Sequence, residues 1–121
     1  MKLYSLKKNH LFSKAYKKGK KVVTKSVCVY CMKNYRDDAS YVGITVSTKL
    51  GGAVQRNRAK RIIRAAYREI AANGSFSDSY IIVIVARSGC FDGSFGSRDV
   101  YGDLMGAFDS LKLFGKEKSE K

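Results

Sequence analysis

Apolar positions recur along the chain with two different periods, and the switches between them mark out the elements. In Asn9–Lys18, Phe12, Ala15 and Tyr16 are spaced as on one side of a helix, with Lys14, Lys17 and Lys18 around them. Asn9 is expected to cap this helix and Gly19 to end it. Residues 22–32 are rich in β-branched and aromatic side chains and read as one strand. Alternation puts Val23, Val27, Val29 and Cys31 on one face, and Thr24, Ser26, Cys28 and Tyr30 on a more polar, partly open one. After a turn over 34–40, residues 41–48 form a second strand, with Val42, Ile44 and Val46 sharing a face. These two strands are expected to pair as a hairpin.

Residues 49–54 contain Gly51-Gly52 and make a flexible link with room for a short strand. Residues 55–72, rich in Arg, Ala and Ile and followed by Asn73-Gly74, give the clearest helix of the sequence. Tyr80–Ala86 is apolar throughout, as in a central strand covered on both faces. Beyond a glycine-containing loop over 88–97, Val100, Leu104, Ala107, Phe108 and Leu111 form the stripe of a last amphipathic helix. The order is α-β-β-(β)-α-β-α, an α+β sandwich with a mixed sheet. At 121 residues the chain is expected to be a single domain with a core over about 6–114 and flexible ends at 1–5 and 115–121.

Charge changes this picture. The net value of +14 is distributed unevenly. Residues 1–68 carry 18 Lys and Arg against Asp37 and Asp38, or +16, whereas residues 69–121 carry six basic and eight acidic residues, or −2. Such an excess repels itself unless a polyanion accepts it. It is densest between Arg56 and Arg68, where six basic residues fall within thirteen positions and five of the six are Arg. On a helical wheel Ala59, Ile62, Ile63, Ala66 and Ile70 share an apolar face. Arg56, Asn57, Lys60, Arg61, Arg64 and Arg68 share the adjoining arc, while Arg58 points elsewhere, near Glu69. Arginine suits bidentate contacts to phosphate, and the positive start of the helix adds to its field.

Catalytic and metal-binding patterns are sparse. Asp37 and Asp38 are neighbours in a turn and point apart, and His10, at the start of the first helix, reads as a surface residue. Cys28 and Cys31 have a zinc-like spacing, but on a strand they face opposite ways. Gly89, Gly93 and Gly96 lack the Lys and hydroxyl of a phosphate loop. No apolar run reaches the roughly 20 residues of a membrane span, and no signal-peptide core follows the basic start. Three cysteines cannot all pair within the chain, so a reducing cytoplasm is the expected location.

The run Gly51-Gly52-Ala53-Val54-Gln55-Arg56-Asn57-Arg58-Ala59-Lys60-Arg61-Ile62-Ile63-Arg64 closely resembles the signature of bacterial ribonuclease P protein components, named for its Arg-Asn-Arg core. Leu6-Lys7-Lys8-Asn9 with Phe12, Tyr16 and Gly19 is similar to that family, as is Tyr41-Val42-Gly43-Ile44-Thr45-Val46-Ser47 leading into Lys49. The likeness runs over about 6–111.

The resemblance implies a ribosomal-protein-like sandwich with a left-handed β-α-β crossover at the Arg-Asn-Arg helix. It implies a protein subunit of the ribonucleoprotein endoribonuclease that removes the 5′ leader of precursor tRNA. RNA would do the chemistry with Mg²⁺ that it mainly holds itself, and the protein would supply no catalytic residue. Arg56, Asn57, Arg58, Lys60, Arg61, Arg64 and Arg68, together with Lys49, would face the catalytic RNA. A cleft at Phe12, Tyr16 and Tyr30, with Lys14, Lys17, Lys18 and Lys25 nearby, would hold the single-stranded leader. Tyr16 stands where the family more often has Phe. The partners would be ribonuclease P RNA and precursor tRNA, with no membrane, and the protein alone would be a monomer. The alternative is a general RNA-binding or ribosomal protein without an enzymatic partner.

Overall fold

The computed structural model describes residues 3–91 and 96–113. The tail beyond 113 lies outside the described residues. A five-stranded mixed sheet is formed by β1 (Leu3–Ser5), β2 (Lys20–Val23), β3 (Val27–Lys33), β4 (Ser40–Thr45) and β5 (Tyr80–Ala86), in the order β1-β4-β5-β3-β2. Helix α1 (Asn9–Lys18) packs on one face, with Leu11 and Ala15 over Ile81 and Val83. Helices α2 (Ala53–Asn73) and α3 (Ser97–Ser110) cover the other face, over Val27, Val29, Ile82 and Ile84. The protein is a mixed α+β sandwich, as expected.

The unbroken apolar run of Tyr80–Ala86 takes the centre of the sheet. Ile82, Ile84 and Ala86 face α2 and α3, while Ile81 and Val83 face α1. It pairs in parallel with β4 and antiparallel with β3. The expected hairpin between the segments 22–32 and 41–48 does not form, because β5 lies between them. The connection from β3 to β4 must step over one strand, about 10 Å at two strand spacings. It does so by being stitched to the start of β5. Asn34 N–H donates to Ser79 O (3.0 Å), Ser79 Oγ donates to Asp37 O (3.2 Å), and Tyr80 N–H donates to Ser40 Oγ (3.0 Å). Within the turn, buried Asn34 donates to Asp37 Oδ1 (2.9 Å) and Ala39 O (2.7 Å) and accepts from Arg36 N–H (3.0 Å). The hydrogen bond from Ala39 N–H, helped by those from Tyr41 and Asn34, holds the Asp37 carboxyl below its ordinary range.

The segment 22–32 is two strands rather than one. A turn at residues 24–26 makes β2 and β3 the hairpin, with Val22 opposite Val29 and Val23 opposite Cys28. In this register even positions of β2 share a face with odd positions of β3. Val22 therefore packs on the α2/α3 core, and Val23, expected there, is exposed. The turn is held by Ser26, whose Oγ donates to Asp103 Oδ2 of α3 (2.6 Å).

Smaller differences have local causes. Lys8, not Asn9, is the N-cap of α1, with no side-chain cap bond, and Asn9 is the first helical residue. The link at 49–54 holds a 3-10 turn over Thr48–Leu50 in place of a short strand. Leu3–Ser5, expected to be flexible, pair in parallel with Ser40, Tyr41 and Val42 at the edge of the sheet. Helix α2 starts two residues early because Gln55 Oε1 accepts from Gly52 N–H (2.8 Å), tying the glycine link into the first turn.

Helix α3 ends in a closed motif. Lys112 N–H donates to Asp109 O (3.0 Å) and Leu113 N–H to Phe108 O (3.1 Å), with Lys112 at φ 60°. This is a Schellman ending, in which the left-handed position favours glycine. A side chain there costs roughly 1–2 kcal/mol, partly offset by the greater freedom glycine has when unfolded. Lys112→Gly is expected to stabilise the protein by about 1 kcal/mol, read as a raised urea midpoint at unchanged slope. A lowered midpoint would contradict this.

Candidate nucleic-acid interface

The basic face of α2 follows from how the helix is buried. Ala59, Ile63, Ala66 and Ile70 are covered by the sheet and α3, and Ile62 packs at the edge of that core. Tyr67 and Ala71, not part of the expected apolar face, are buried beside them. What remains outward is the charged arc. Asn57, Arg58, Arg61 and Arg68 are exposed, and Arg56, Lys60 and Arg64 are half-buried along their stems. Among the described residues no acid pairs with Arg56, Lys60, Arg61, Arg64 or Arg68. Arg56 Nε donates to Gly51 O (3.2 Å), fixing the first cation at the helix start. The first turn of α2 contains no acid. Its unpaired N–H groups therefore add to the positive field instead of being neutralised. Lys49 is exposed in the 3-10 turn between β4 and α2.

A second surface lies on the opposite face of the sheet, beside α1. Phe12 and Tyr16, one helical turn apart, both lean over β4. Tyr16 and Tyr30 meet edge to face with ring centroids 5.0 Å apart, and the Tyr16 hydroxyl lies 3.2 Å from Thr45 Oγ1. Tyr30, Val83 and Gly43 form one row across β3, β5 and β4, and Cys28, Val85 and Thr45 form the next. Phe12 sits on Gly43, where any Cβ would overlap its ring. The floor is thus apolar, the wall aromatic, and Tyr16 is exposed enough to offer its edge to a ligand. Burial and then the neighbouring Cys28 raise the Tyr30 hydroxyl above its ordinary pKa. Only residues 46–52 separate Thr45 from the start of α2, so the two surfaces approach each other at this end of the sheet.

The four lysines expected near the aromatics are not all together. Lys17 is exposed on α1, and Lys25 is exposed in the turn between β2 and β3, beyond Cys28. Lys14 and Lys18 line a groove on the other flank of α1. Sequence reasoning misses three residues of this surface. Lys21 opposes Tyr30 and carries its ammonium 5.8 Å from that ring's centroid. Thr45 orients Tyr16, and Gly43 seats Phe12. Gly43 carries a readable signal, since a glycine inside a strand often marks a close approach. Lys21 carries none until the register is known.

Among the described residues no three His, Cys, Asp or Glu converge as metal ligands. The acids have other tasks: Asp37 organises a turn, Asp103 holds Ser26, Asp99 accepts from Gly96 N–H, and Asp78 pairs with Lys33 (2.7 Å). Cys28 and Cys31 do lie on opposite faces of β3. Burial pushes the Cys31 thiol up to about 12, which leaves it neutral and unreactive at neutral pH.

Fold and surfaces together define a small mixed α+β protein with a cationic helix face on one side of its sheet and an aromatic cleft on the other. A sequence model of the Ribonuclease P family matches residues 1–99. The chain is 42% identical over 94 residues to the ribonuclease P protein component of Clostridioides difficile, covering 78% of this chain and 81% of that one. It is 39% identical over 82 residues to that of Macrococcus caseolyticus, covering 68% and 70%. The structure matches the RNase P protein of Staphylococcus aureus with a TM-score of 0.79 at 32% identity, covering 94% of this chain and 100% of that one. The protein from Thermotoga maritima matches with a TM-score of 0.75 at 25% identity, covering 88% and 96%. The chain belongs to the ribonuclease P protein family, the protein subunits of a tRNA-processing endoribonuclease. Among the described residues no helix is long and apolar enough to cross a membrane.

Proposed function

We propose that the protein binds the catalytic RNA of ribonuclease P through the outer arc of α2 and Lys49. On this reading it holds the 5′ leader of precursor tRNA in the cleft of Phe12, Tyr16 and Tyr30. The observation that carries it is the placement of two chemically different surfaces on opposite faces of one sheet. One is cationic, with no acid paired to Arg56, Lys60, Arg61, Arg64 or Arg68 among the described residues, and is suited to the phosphates of a structured RNA. The other is aromatic over an apolar floor, suited to unstacked bases. On this reading RNA holds the divalent metal and makes the cut. The protein's share is to bind, to orient the leader and to screen phosphate repulsion. That share matters most where the cation is scarce.

Adding the protein to its catalytic RNA at low Mg²⁺ is expected to restore removal of the leader from precursor tRNA. Cleavage that stays at the level of RNA alone would favour the alternative of a general RNA-binding or ribosomal protein. Tyr30→Ala tests the cleft separately. Each stacked base is worth about 1–3 kcal/mol, so the loss of precursor over mature tRNA binding is expected to be about tenfold in the complex. Equal losses for precursor and mature tRNA would remove the leader from this cleft.

A further inference from the structure

We propose that the flank of α1 turned away from Tyr16 is a second groove for single-stranded RNA, which receives the stretch of leader lying farther upstream. This rests on the assignment of the aromatic cleft to the leader. The groove has a volume of about 540 Å³, with Leu11, Met32 and Ile81 in its lining. It opens into a smaller hollow of about 270 Å³ that shares Leu11, Asn34, Arg36 and Ile81 with it and adds Lys7 and Lys8.

The charge around it is one-sided. Lys14, Lys18, Lys20, Lys33 and Arg36 line the larger hollow, and no acid among the described residues does. Lys33 is shared with Asp78 and Arg36 lies in the field of the Asp37 carboxylate, but among the described residues Lys14, Lys18 and Lys20 have no acid partner. Asp37 borders the smaller hollow, where its carboxylate is engaged with Asn34, Ala39 and Tyr41. At the rim stands Tyr35, 85% exposed, with the Lys33 ammonium 5.4 Å from its ring centroid. An aromatic so exposed contributes nothing to the core and offers a free face for stacking. Cations on several sides of an apolar floor, with a free ring beside them, suit phosphates and an unstacked base, not the closed edge of a duplex.

Position selects the leader over the catalytic RNA as the source. The groove runs along α1 and reaches round the end of the sheet to Leu111 and Leu113 at the end of α3, and no residue of α2 lines it. One helix diameter, about 10–12 Å, separates it from the Tyr16 cleft. A strand leaving the aromatic cleft has this groove as the next cationic surface around α1.

The test compares, in the assembled holoenzyme, precursors whose leaders end within the aromatic cleft with precursors whose leaders extend well past it. For Tyr35→Ala combined with Arg36→Ala, the affinity advantage of the long leader is expected to fall about tenfold, the worth of one stacked base. The salt slope of long-leader binding should fall by roughly 0.7, because one phosphate is no longer neutralised. Lys14→Ala with Lys18→Ala should lower that slope by roughly 0.7 for each lysine. An unchanged long-to-short ratio overturns the proposal. So does an equal loss for both leaders, or a loss of affinity for the catalytic RNA itself, either of which places these cations on another RNA. Failure of the aromatic cleft reads differently, because Tyr30→Ala would then leave the difference between precursor and mature tRNA intact.

Discussion

Replacing Arg61 and Arg64 together with Ala is expected to weaken binding of the catalytic RNA by about 100-fold while leaving the protein's thermal unfolding unchanged. Both residues lie on the outer arc of α2, and neither has an acid partner among the described residues. A hydrogen bond involving a charged group contributes about 1.5–3 kcal/mol, and each 1.4 kcal/mol is a factor of ten. Two such bonds therefore supply two factors of ten at the low end of that range. The log–log dependence of affinity on salt should flatten by roughly 0.7–0.9 for each phosphate that no longer meets a cation. Salt titration separates the causes: a weaker affinity with an unchanged slope would mean a rearranged helix, and no change in either would mean arginines that are merely solvated. The core stays out of the comparison, because the buried face of α2 consists of Ala59, Ile63, Ala66, Tyr67, Ile70 and Ala71.

What the sequence makes legible depends on the range of the interaction. Helix α2 and its two faces follow from local periodicity, and the apolar run Tyr80–Ala86 announces a strand covered on both sides. The partner of each strand is a different matter. Segments 22–32 and 41–48 look like neighbours because they are close in the chain, yet β5 enters between them from about forty residues further on. The turn that permits this depends on Asn34 bonding simultaneously to Asp37, Ala39 and Arg36. Nothing in the order of residues 34–40 distinguishes that arrangement from an ordinary hairpin loop.

The break at residues 24–26 has a similar cause. Thr24 and Ser26 continue the strand pattern by residue type, but the fold uses their hydroxyls to close a turn against Val27 and Asp103. Once the turn is placed, the parity of β2 reverses and Val23 leaves the core. The aromatic site is legible as a set of residues, because Phe12 and Tyr16 are one helical turn apart and Tyr30 lies on the polar side of its strand. The lysine groups are not. Lys14 and Lys18 fall on the far flank of α1, where they meet Lys20, Lys33 and Arg36 from three other parts of the chain.

Gly43→Val should show that the fold and the leader cleft depend on one close approach. Gly43 lies inside β4, opposite Val83 of β5, and a Cβ there would overlap the ring of Phe12 and stand 3.3 Å from Leu6 Cβ. Overpacking of this kind costs roughly 1–3 kcal/mol, while valine recovers part of the roughly 0.5–1 kcal/mol that glycine forfeits in a strand. The expected net loss is about 2 kcal/mol in urea unfolding. With Phe12 already replaced by Ala the overlap is gone, so the same valine should then be neutral or slightly stabilising. A coupling energy of at least about 1 kcal/mol in this cycle is expected, within the range for residues in direct contact. The functional consequence is specific. A displaced Phe12 ring no longer borders the aromatic cleft, so precursor binding should weaken relative to mature tRNA about as much as in Phe12→Ala. Affinity for the catalytic RNA should hold, since α2 packs on the other face of the sheet. Additive stability losses in the cycle would mean that α1 is lifted as a whole, and that the ring and the glycine are not the determining pair.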